Sequence, residues 1–507
     1  MDYIVLLTTL FLPLLTAISC LIFWGKPNVQ NYISTVGSIL TFASAILLFH
    51  QVTIHDYVVV GLGGWQFPFG ILFAADYFSV ILILTSTLLS ACAVMYASSA
   101  MDENRKSYGF FALWHFLIFG IIGAFLTTDI FNLYVWFEIM LISSFVLLAL
   151  GGKRDQLEGA IKYVTLNFIA SAIFLAGVGT IYSITGSLNF ADLHQKAINI
   201  DAPGRLSLAG VFFFVSFGIK AAVFPLFFWL PASYHTPPIA ISAIFAGLLT
   251  KVGIYAMVRV FTLIFTHDPI FTKTIILTIS GLTMVVGVLG AAVQFEFRRL
   301  LSFHIISQIG YMLMGLAIFT PLAFTGVVFF IVHNILVKSS LFLVAGIVYK
   351  YNNTYDLKKL GGFYLKNPWL SIVFFILAMS LAGLPPFSGF WGKFILVKAG
   401  LEAEQYFIIA VSLGVSLFTL YSMTKIWNEV FWKKLPVFKN KIDETEEPLV
   451  TMPVNGLTKM WVPLIILTVV VLFIGLYAEP LYQVSAKAAE QISNPAIYFE
   501  NVTKPAN

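Results

Sequence analysis

The chain has 507 residues, of which 59% are hydrophobic and only 10% are charged, and its mean hydropathy is +0.91. Soluble domains carry roughly 25% charged residues, so this composition excludes an ordinary soluble protein. The net charge is +5, but the basic residues form no stripe that would support nucleic-acid binding. The two cysteines are too few for a cysteine-ligated iron–sulfur cluster and do not indicate a disulfide framework.

Long apolar runs make up most of the chain and predict membrane-spanning helices. A helix needs about 20 apolar residues to cross a bilayer, and these runs are too continuously apolar for barrel strands. We count 14 runs, at residues 3–24, 31–50, 76–98, 109–127, 129–150, 160–183, 207–231, 238–264, 272–293, 301–320, 323–349, 369–398, 405–430 and 457–478. Only Thr127, Thr128 and Asp129 separate the fourth run from the fifth, so a count of 13 is the alternative. The predicted fold class is an all-α polytopic membrane protein with about 14 transmembrane helices.

Basic residues are distributed unevenly between the predicted loops. Loops after odd-numbered helices hold 15 of them: Lys26, Arg105, Lys106, Lys153, Arg154, Arg298, Arg299, Lys350, Lys358, Lys359, Lys366, Lys433, Lys434, Lys439 and Lys441. Loops after even-numbered helices hold 3, namely Lys196, Arg205 and Lys273. Because cytoplasmic loops carry the excess of positive charge, this bias predicts that both termini lie outside. The bias also favours 14 helices over 13, because a missing helix would mix the two groups of loops.

Two of the runs are interrupted by prolines. The seventh run contains Pro225 and Pro231, and the twelfth contains Pro385 and Pro386. A proline inside a helix removes a backbone hydrogen bond and clashes with the preceding turn. Backbone groups freed in this way are tolerated at membrane depth only where they line a cavity or are buried in protein. Broken helices at corresponding positions in two halves are typical of transporters built from internal repeats.

Lysine spacing indicates the same repeat. Three pairs lie 173 to 176 residues apart: Lys220 with Lys393, Lys251 with Lys425, and Lys162 with Lys338. The alternative is chance, since 29 basic residues give many separations. Together with the broken helices, the spacing predicts helices 1 to 3 at 1–98, a five-helix repeat at 109–264, a second five-helix repeat at 272–430, and helix 14 with a C-terminal tail at 457–507.

Five ionisable residues lie well inside the apolar runs: Glu138, Lys220, Lys251, Lys338 and Lys393. A charge at the bilayer centre costs at least about 2.5–3.5 kcal/mol on insertion scales, so such residues are expected to mark an ion or proton path. The alternative for any one of them is a snorkelling lysine or an ion pair that holds helices together. Four lysines and one acid do not pair off, which favours the path.

The chemistry of these groups suits proton transfer. Burial lowers the pKa of a lysine and a nearby carboxylate raises it, so moving the carboxylate can load and unload a proton. At about 4 Å and an effective dielectric of 20, the pair energy is roughly 4 kcal/mol. We therefore interpret Glu138 and Lys220 as a switch pair, with Lys251, Lys338 and Lys393 continuing the path along the membrane midplane.

Two histidines are further candidates for the proton path. His333 and His304 lie in or beside apolar runs, and histidine titrates near neutral pH. The alternative is that both are hydrogen-bonded core histidines. The chain has no Walker A, dinucleotide-binding or HExxH motif, so we predict neither a metal site nor a cofactor.

Several segments resemble the proton-translocating membrane subunits shared by respiratory complex I and Mrp-type cation/proton antiporters. These are Lys220-Ala-Ala-Val-Phe-Pro-Leu-Phe-Phe-Trp-Leu-Pro231, Pro237-Pro238 with Gly247-Leu-Leu-Thr-Lys251, His333-Asn-Ile-Leu-Val-Lys338-Ser-Ser-Leu-Phe342, and Leu384-Pro-Pro-Phe-Ser-Gly-Phe-Trp-Gly-Lys393. The resemblance covers roughly residues 75–430. It implies 14 helices with two inverted five-helix repeats, broken helices 7 and 12, and the five buried charges as the functional residues.

Within this family the chain is most similar to the D-subunit branch of the Mrp antiporters, on the segments Phe131–Ser144, Leu230–Pro238 and Phe303–Gly310. Complex I relatives usually have Asp-Ala-His after the Leu-Pro, where this chain has Ala232-Ser233-Tyr234-His235. They usually have Ala-Tyr-Ser-Ser where this chain has Ser302-Phe303-His304-Ile305. Some relatives have a glutamate at the position of Lys393. The resemblance implies a bacterial plasma membrane, Na⁺ and H⁺ as transported ions, and the A, B, C, E, F and G subunits as partners.

The sequence thus predicts a proton-translocating subunit of a multi-subunit Na⁺/H⁺ antiporter. Protons would pass through half-channels joined by the midplane lysines and glutamate, in exchange for cytoplasmic Na⁺. The main alternative is a proton-pumping subunit of a complex I-like NADH:quinone oxidoreductase or a membrane-bound hydrogenase, driven by redox partners. A self-sufficient antiporter is less favoured because paired midplane Asp residues are lacking. A scaffold subunit, whose charges only lock helices together, is the last alternative.

Overall fold

The computed structural model describes residues 2–65, 67–198, 203–266, 269–435 and 457–503. The helices of the first half are α1 (Asp2–Ile22), α2 (Pro27–His55), α3 (Tyr77–Ala100), α4 (Glu103–Ser107), α5 (Phe110–Leu126), α6 (Ile130–Ala149), α7 (Arg154–Thr185), α8 (Phe190–Ile198), α9 (Pro203–Ala221), α10 (Trp229–Ser233), α11 (Ile239–Ile244) and α12 (Thr250–Leu263). A π-helical segment, Phe245–Leu249, joins α11 to α12.

The second half is also helical. Its helices are α13 (Pro269–Val293), α14 (Phe297–Ile318), α15 (Pro321–Asn352), α16 (Phe363–Lys366), α17 (Pro368–Ala382), α18 (Ser388–Glu402), α19 (Tyr406–Ile426), α20 (Leu457–Leu476), α21 (Glu479–Ser493) and α22 (Pro495–Thr503). A 3₁₀ turn spans Leu357–Lys359, and a second π-helical segment, Trp427–Trp432, follows α19.

The predicted polytopic helical fold is confirmed. Within the described ranges, 12 helices are long and apolar enough to cross a membrane, and α5 and α17 are shorter apolar helices. The exact count of 14 remains a prediction, as do the division into four segments and the inverted repeat. One small antiparallel hairpin departs from the all-helical prediction, in which β1 (Val58–Leu62) pairs with β2 (Ile71–Ala75).

The helices differ in how much of their surface other helices cover. The helix formed by α11, the π-helical segment and α12 is enclosed along its spanning length, and so is α15. By contrast, α1, α2, α7 and α19 leave more than half of their spanning residues incompletely buried. A helix that is apolar all round is expected to be buried by its neighbours. Lys251 and Lys338 therefore lie on the two most enclosed helices of the fold.

The predicted breaks coincide with real interruptions of the helices. Helix α9 ends at Ala221, and Pro225 lies in the segment before α10 begins at Trp229. The prolines Pro385 and Pro386 lie between the end of α17 and the start of α18. Pro231 differs from the prediction, because it is the third residue of the short helix α10, where proline fits the first turn.

A buried ion pair connects distant parts of the chain. Asp76 caps α3 by accepting the backbone N–H of Ser79 at 2.8 Å, and its second carboxylate oxygen accepts the guanidinium of Arg259 on α12. Tyr498 on α22 lies beside the same guanidinium, which is 5.6 Å from its ring centroid. Both charged residues are buried, so removing either partner would leave an uncompensated charge. This contact anchors the C-terminal helices to α3 and α12.

Helices α13 and α14 pack closely at glycines. A Cβ atom added at Gly287 would clash with the backbone nitrogen of Ser307 on α14. A Cβ atom at Gly310 on α14 would lie 2.8 Å from the carbonyl oxygen of Ser280 on α13. Small residues let the backbones of two membrane helices approach closely. Because lipid tails are as apolar as the helix side chains, such close packing, and not the hydrophobic effect, holds membrane helices together.

We expect Gly287→Val to lower the thermal unfolding midpoint of the assembled complex, because the added side chain overpacks the α13–α14 contact by about 1–3 kcal/mol. Gly414→Val on α19 is the matched control, since no atom lies within 4 Å of a Cβ there. Thermal unfolding of the two purified variants measures the difference. Equal loss of stability in both would contradict close packing at Gly287.

Candidate proton path

Glu138 and Lys220 are linked through a serine. Glu138 lies on α6, Ser171 on α7 and Lys220 in the last turn of α9. The Ser171 hydroxyl donates to the Glu138 carboxylate, and it accepts from Lys220 Nζ at 3.4 Å. The predicted pair is therefore brought together, but through a hydroxyl instead of a direct ion pair. A serine hydroxyl both donates and accepts, so a proton can pass between the two charged groups through it.

The break after α9 explains where Lys220 lies. The chain leaves the helix at Ala222, whose φ of 61° is left-handed, so the half-helix ends one residue beyond Lys220. The C-terminal end of a helix carries partial negative charge, which favours a cation there. The indole nitrogen of Trp229 donates to the carbonyl oxygen of Ile219 at 2.9 Å and satisfies one group of the last turn.

A small cavity lies beside Lys220. Its volume is about 20 Å³, and Lys220, Tyr163, Asn167 and Trp229 line it. A water molecule needs roughly 10–15 Å³ and two to four polar partners, so this cavity is large enough for one. The cavity also borders Leu249, two residues before Lys251.

Lys251 lies two residues after the end of the π-helical segment. It is the second residue of α12, and its ammonium donates to the carbonyl oxygen of Ala246 inside that segment. Gly247 lets the segment lie against α15, since a Cβ there would clash with the Ser339 hydroxyl. That hydroxyl donates to the carbonyl oxygen of Ala243 at 2.9 Å. The close approach brings α12 to the turn of α15 that carries Lys338.

Lys338 lies fully buried in the centre of α15. Its ammonium has no hydrogen-bond partner among the described residues, and its charge interacts with those of Lys251 and Lys393. Both ring nitrogens of His304 and the side-chain amide of Gln308 are likewise without partners in the described part of the chain. Buried polar groups are nearly always bonded to protein or ordered water, so these three side chains still require bonding partners.

Lys393 is held at the second broken helix. Its ammonium donates to the carbonyl oxygen of Ala382, the last residue of α17, at 3.0 Å and to the Ser416 hydroxyl at 3.1 Å. The ring centroid of Tyr311 lies 4.9 Å from the same ammonium. The terminal carbonyls of a helix have no partner within it, so the end of α17 offers a natural site for a cation.

His333 joins α15 to the start of α18. Its Nδ1 is within 2.9 Å of the Ser388 hydroxyl, which is 2.9 Å from the Ser380 hydroxyl. The other ring nitrogen has no partner in the described residues. The charges of Lys338 and Lys393 act on both His333 and His304. Both histidines thus lie near the charged lysines. One nitrogen of His333 nevertheless makes a hydrogen bond in the core, as expected if this histidine is only a structural residue.

The equally spaced lysines do not occupy equivalent places. Lys162 is half exposed and pairs with Glu158 at 2.5 Å, whereas its counterpart Lys338 is enclosed. Lys425 donates at 2.7 Å to the carbonyls of Ala292 and Gln294 at the end of α13. Lys220 and Lys393 do share a setting, since each lies beside a helix break.

Two contacts of charged side chains were not predicted from sequence. Ser171 lies one turn after Asn167, and two polar residues at this spacing in an apolar run were the available signal. Arg259 lies inside the eighth apolar run and met the criterion that singled out the five other charges. Its pairing with Asp76 depends on the packing of α3 against α12, which periodicity does not give.

Comparison with known proteins identifies the family of the chain. The model of the family described as NADH:quinone oxidoreductase/Mrp antiporter, transmembrane, matches residues 127–419. The chain is 45% identical to the Na⁺/H⁺ antiporter D subunit of Alkalihalophilus pseudofirmus, over 99% of this chain and 100% of that relative. The chain belongs to this family. The corresponding Na⁺/H⁺ antiporter D subunit of Bacillus subtilis is 37% identical, with 98% of each chain covered.

Solved structures of similar chains have the same fold as this family member. A chain of the Mrp complex from Dietzia sp. has a TM-score of 0.90 and 31% identity, with 99% of both chains covered. A chain of an archaeal membrane-bound sulfane sulfur reductase has a TM-score of 0.88 and 25% identity, with 98% of this chain and 99% of that chain covered. A chain of respiratory complex I from Thermus thermophilus, at 21% identity, shares the fold with a TM-score of 0.81. The predicted resemblance to the Mrp branch is confirmed.

We expect Ser171→Ala to lower the thermal unfolding midpoint of the complex, because it removes the hydroxyl that satisfies both Glu138 and Lys220. Leaving a buried polar group without its partner costs about 1–3 kcal/mol. Ser171→Thr keeps the hydroxyl and should lose less. Ser183→Ala, on an exposed turn of the same helix, is the control. If Ser171→Ala and Ser183→Ala melt alike, the hydroxyl bridge does not hold these charges together.

Proposed function

We propose that this chain is the proton-translocating subunit of an Mrp-type multi-subunit Na⁺/H⁺ antiporter. It is a transporter subunit and not an enzyme, and the other Mrp subunits are its partners. Two relatives that match nearly the whole chain are named as D subunits of Na⁺/H⁺ antiporters, and one similar structure is an Mrp complex. The observation that carries the proposal is the row of titratable side chains that runs from the partly buried Glu138 through the buried lysines to Lys393.

The proposed path follows the contacts between these side chains. A proton passes between Glu138 and Lys220 through the Ser171 hydroxyl, and the small cavity beside Lys220 provides space for a water on the way to Lys251. The path continues to Lys338 and ends at Lys393. His304 and His333, together with bound water, complete its central part. This route joins a half-channel in each half of the chain.

Like charges make the path responsive to each proton that enters it. Lys251, Lys338 and Lys393 lie close enough for their charges to interact. Two like charges inside a protein repel one another more strongly than in water, because the effective dielectric constant is lower. A proton that arrives at one lysine therefore favours release from its neighbour. At the Lys220 end, the Glu138 carboxylate instead attracts the lysine ammonium.

The orientation in the membrane follows from charge. We place the chain in the bacterial plasma membrane with both termini outside, because 15 Lys and Arg follow odd-numbered helices and 3 follow even-numbered ones. The named relatives are bacterial proteins. In this orientation, proton entry through the chain is coupled to the exit of cytoplasmic Na⁺ through the complex.

The second candidate is a proton-pumping subunit of a redox complex. The similarity to the sulfane sulfur reductase chain, a respiratory complex by its description, favours it. The identity to that chain is 25%, against 45% to the antiporter protein from Alkalihalophilus pseudofirmus. The same row of lysines would serve Na⁺/H⁺ antiport or redox-driven pumping. A transport measurement on the whole complex therefore decides between the two candidates.

We expect Lys338→Ala to slow Na⁺-dependent proton movement in everted vesicles by at least about tenfold, a barrier increase of roughly 1.4 kcal/mol. The reason is that it removes the central titratable group of the path. Lys162→Ala is the matched control, because Lys162 is an exposed lysine with its own partner. The vesicles come from a strain without other antiporters that expresses the whole gene cluster, and co-purification of the subunits verifies assembly.

Two results would overturn this proposal in different ways. Unchanged exchange with Lys338→Ala in an assembled complex would remove the lysine row from the mechanism and favour a scaffold role. Failure of the wild-type cluster to exchange Na⁺ for protons, together with proton pumping driven by NADH or hydrogen, would favour the redox candidate.

A further inference from the structure

A groove of about 450 Å³ opens between three helices. It lies between the start of α15, the stretch of α18 from Trp391 to Lys398 and the end of α20, on the far side of α18 from Lys393. Its walls are apolar and aromatic and include Leu322, Phe329, Trp391, Phe394, Ile395 and Tyr477. Neither the proton path nor the buried ion pair uses these residues.

Two opposite charges border this groove. Lys398 projects from α18 and Glu479 is the first residue of α21, and both side chains are exposed. Lys398 makes one long ion pair, 3.9 Å from Glu402, and Glu479 accepts from the Gln483 amide at 2.9 Å. An ammonium has three donors and a carboxylate about four acceptor sites, so both groups keep bonding capacity for a ligand.

The groove has the size of a small-molecule site. Small-molecule sites occupy about 300–1,000 Å³ and are mostly apolar with a few placed polar groups, as here.

We propose that this groove binds a glycerophospholipid with an ethanolamine headgroup. Its phosphate lies at Lys398, its ammonium at Glu479, and one acyl chain lies along Phe329, Trp391 and Phe394. A zwitterion matches one cation beside one anion, whereas an anionic glycerol headgroup leaves the carboxylate unpaired. A primary ammonium donates hydrogen bonds to a carboxylate, which a trimethylated choline headgroup cannot do.

The bound lipid stabilises the second helix break. The Trp391 indole donates to the carbonyl oxygen of Gly475 on α20 at 2.8 Å. Gly475 itself lies against the break, since a Cβ there would be 2.8 Å from the carbonyl oxygen of Pro386 and from the nitrogen of Ser388. An acyl chain over Trp391 covers this contact and holds α18, which carries Lys393, against α20.

Native mass spectrometry of the purified complex tests the proposal. The complex is titrated with phosphatidylethanolamine, phosphatidylglycerol or phosphatidylcholine, and bound lipid is counted for each variant. We expect Lys398→Gln to weaken ethanolamine-lipid binding at one site roughly fivefold, about 1 kcal/mol. Glu479→Gln should abolish the preference for ethanolamine over choline lipid. Lys162→Gln, an exposed lysine outside the groove, should change neither.

A photo-reactive residue at position 394 provides an independent readout, because it reports what lies over the groove. We expect a lipid adduct there in the assembled complex. A protein adduct would overturn the proposal and make the groove a subunit contact. Equal lipid binding by wild-type, Lys398→Gln and Glu479→Gln complexes would overturn it as well. These outcomes do not depend on antiport activity.

Discussion

A lysine ammonium inside a membrane needs oxygen atoms around it, and an unbroken helix has no spare carbonyls to provide them. This chain provides them at two irregularities. Lys251 donates to Ala246 in the π-helical segment, and Lys393 donates to Ala382 at the end of α17. Lys220 lies in the last turn of α9, where the helix dipole favours a cation. Three of the buried lysines therefore lie at interruptions of the helices, whereas Lys338 lies within the unbroken helix α15.

Sequence predicts the parts of this arrangement that depend on local chemistry. The cost of charge in a bilayer singles out the buried lysines, and the missing N–H of proline predicts the breaks at Pro225, Pro385 and Pro386. Packing determines the rest. The π-helical segment has no proline, and it lies against α15 because Gly247 allows the Ser339 hydroxyl to approach. Spacing along the chain also does not show which side of a helix faces inward. For this reason Lys162 and Lys338, which the spacing pairs, lie in different environments.

The lysines in the row differ in whether protein groups bind their ammoniums. At its ends protein groups hold the ammoniums: Ser171 for Lys220, and Ala382 with Ser416 for Lys393. At its centre, Lys338 and His304 have no partner in the described part of the chain. In the proposed path, a proton would move between fixed groups at the ends and through water at the centre. The buried pair of Asp76 and Arg259 holds α12 against α3 near the end of α12.

A structure of the complete complex in lipid, at a resolution that shows ordered water, tests the continuity of this path most directly. The account predicts water bonded to the Lys338 ammonium and to a ring nitrogen of His304, and one water in the cavity beside Lys220. A dry centre, with Lys338 paired to a carboxylate of a partner subunit, would contradict it. In that case the buried lysines would join subunits and would not conduct protons.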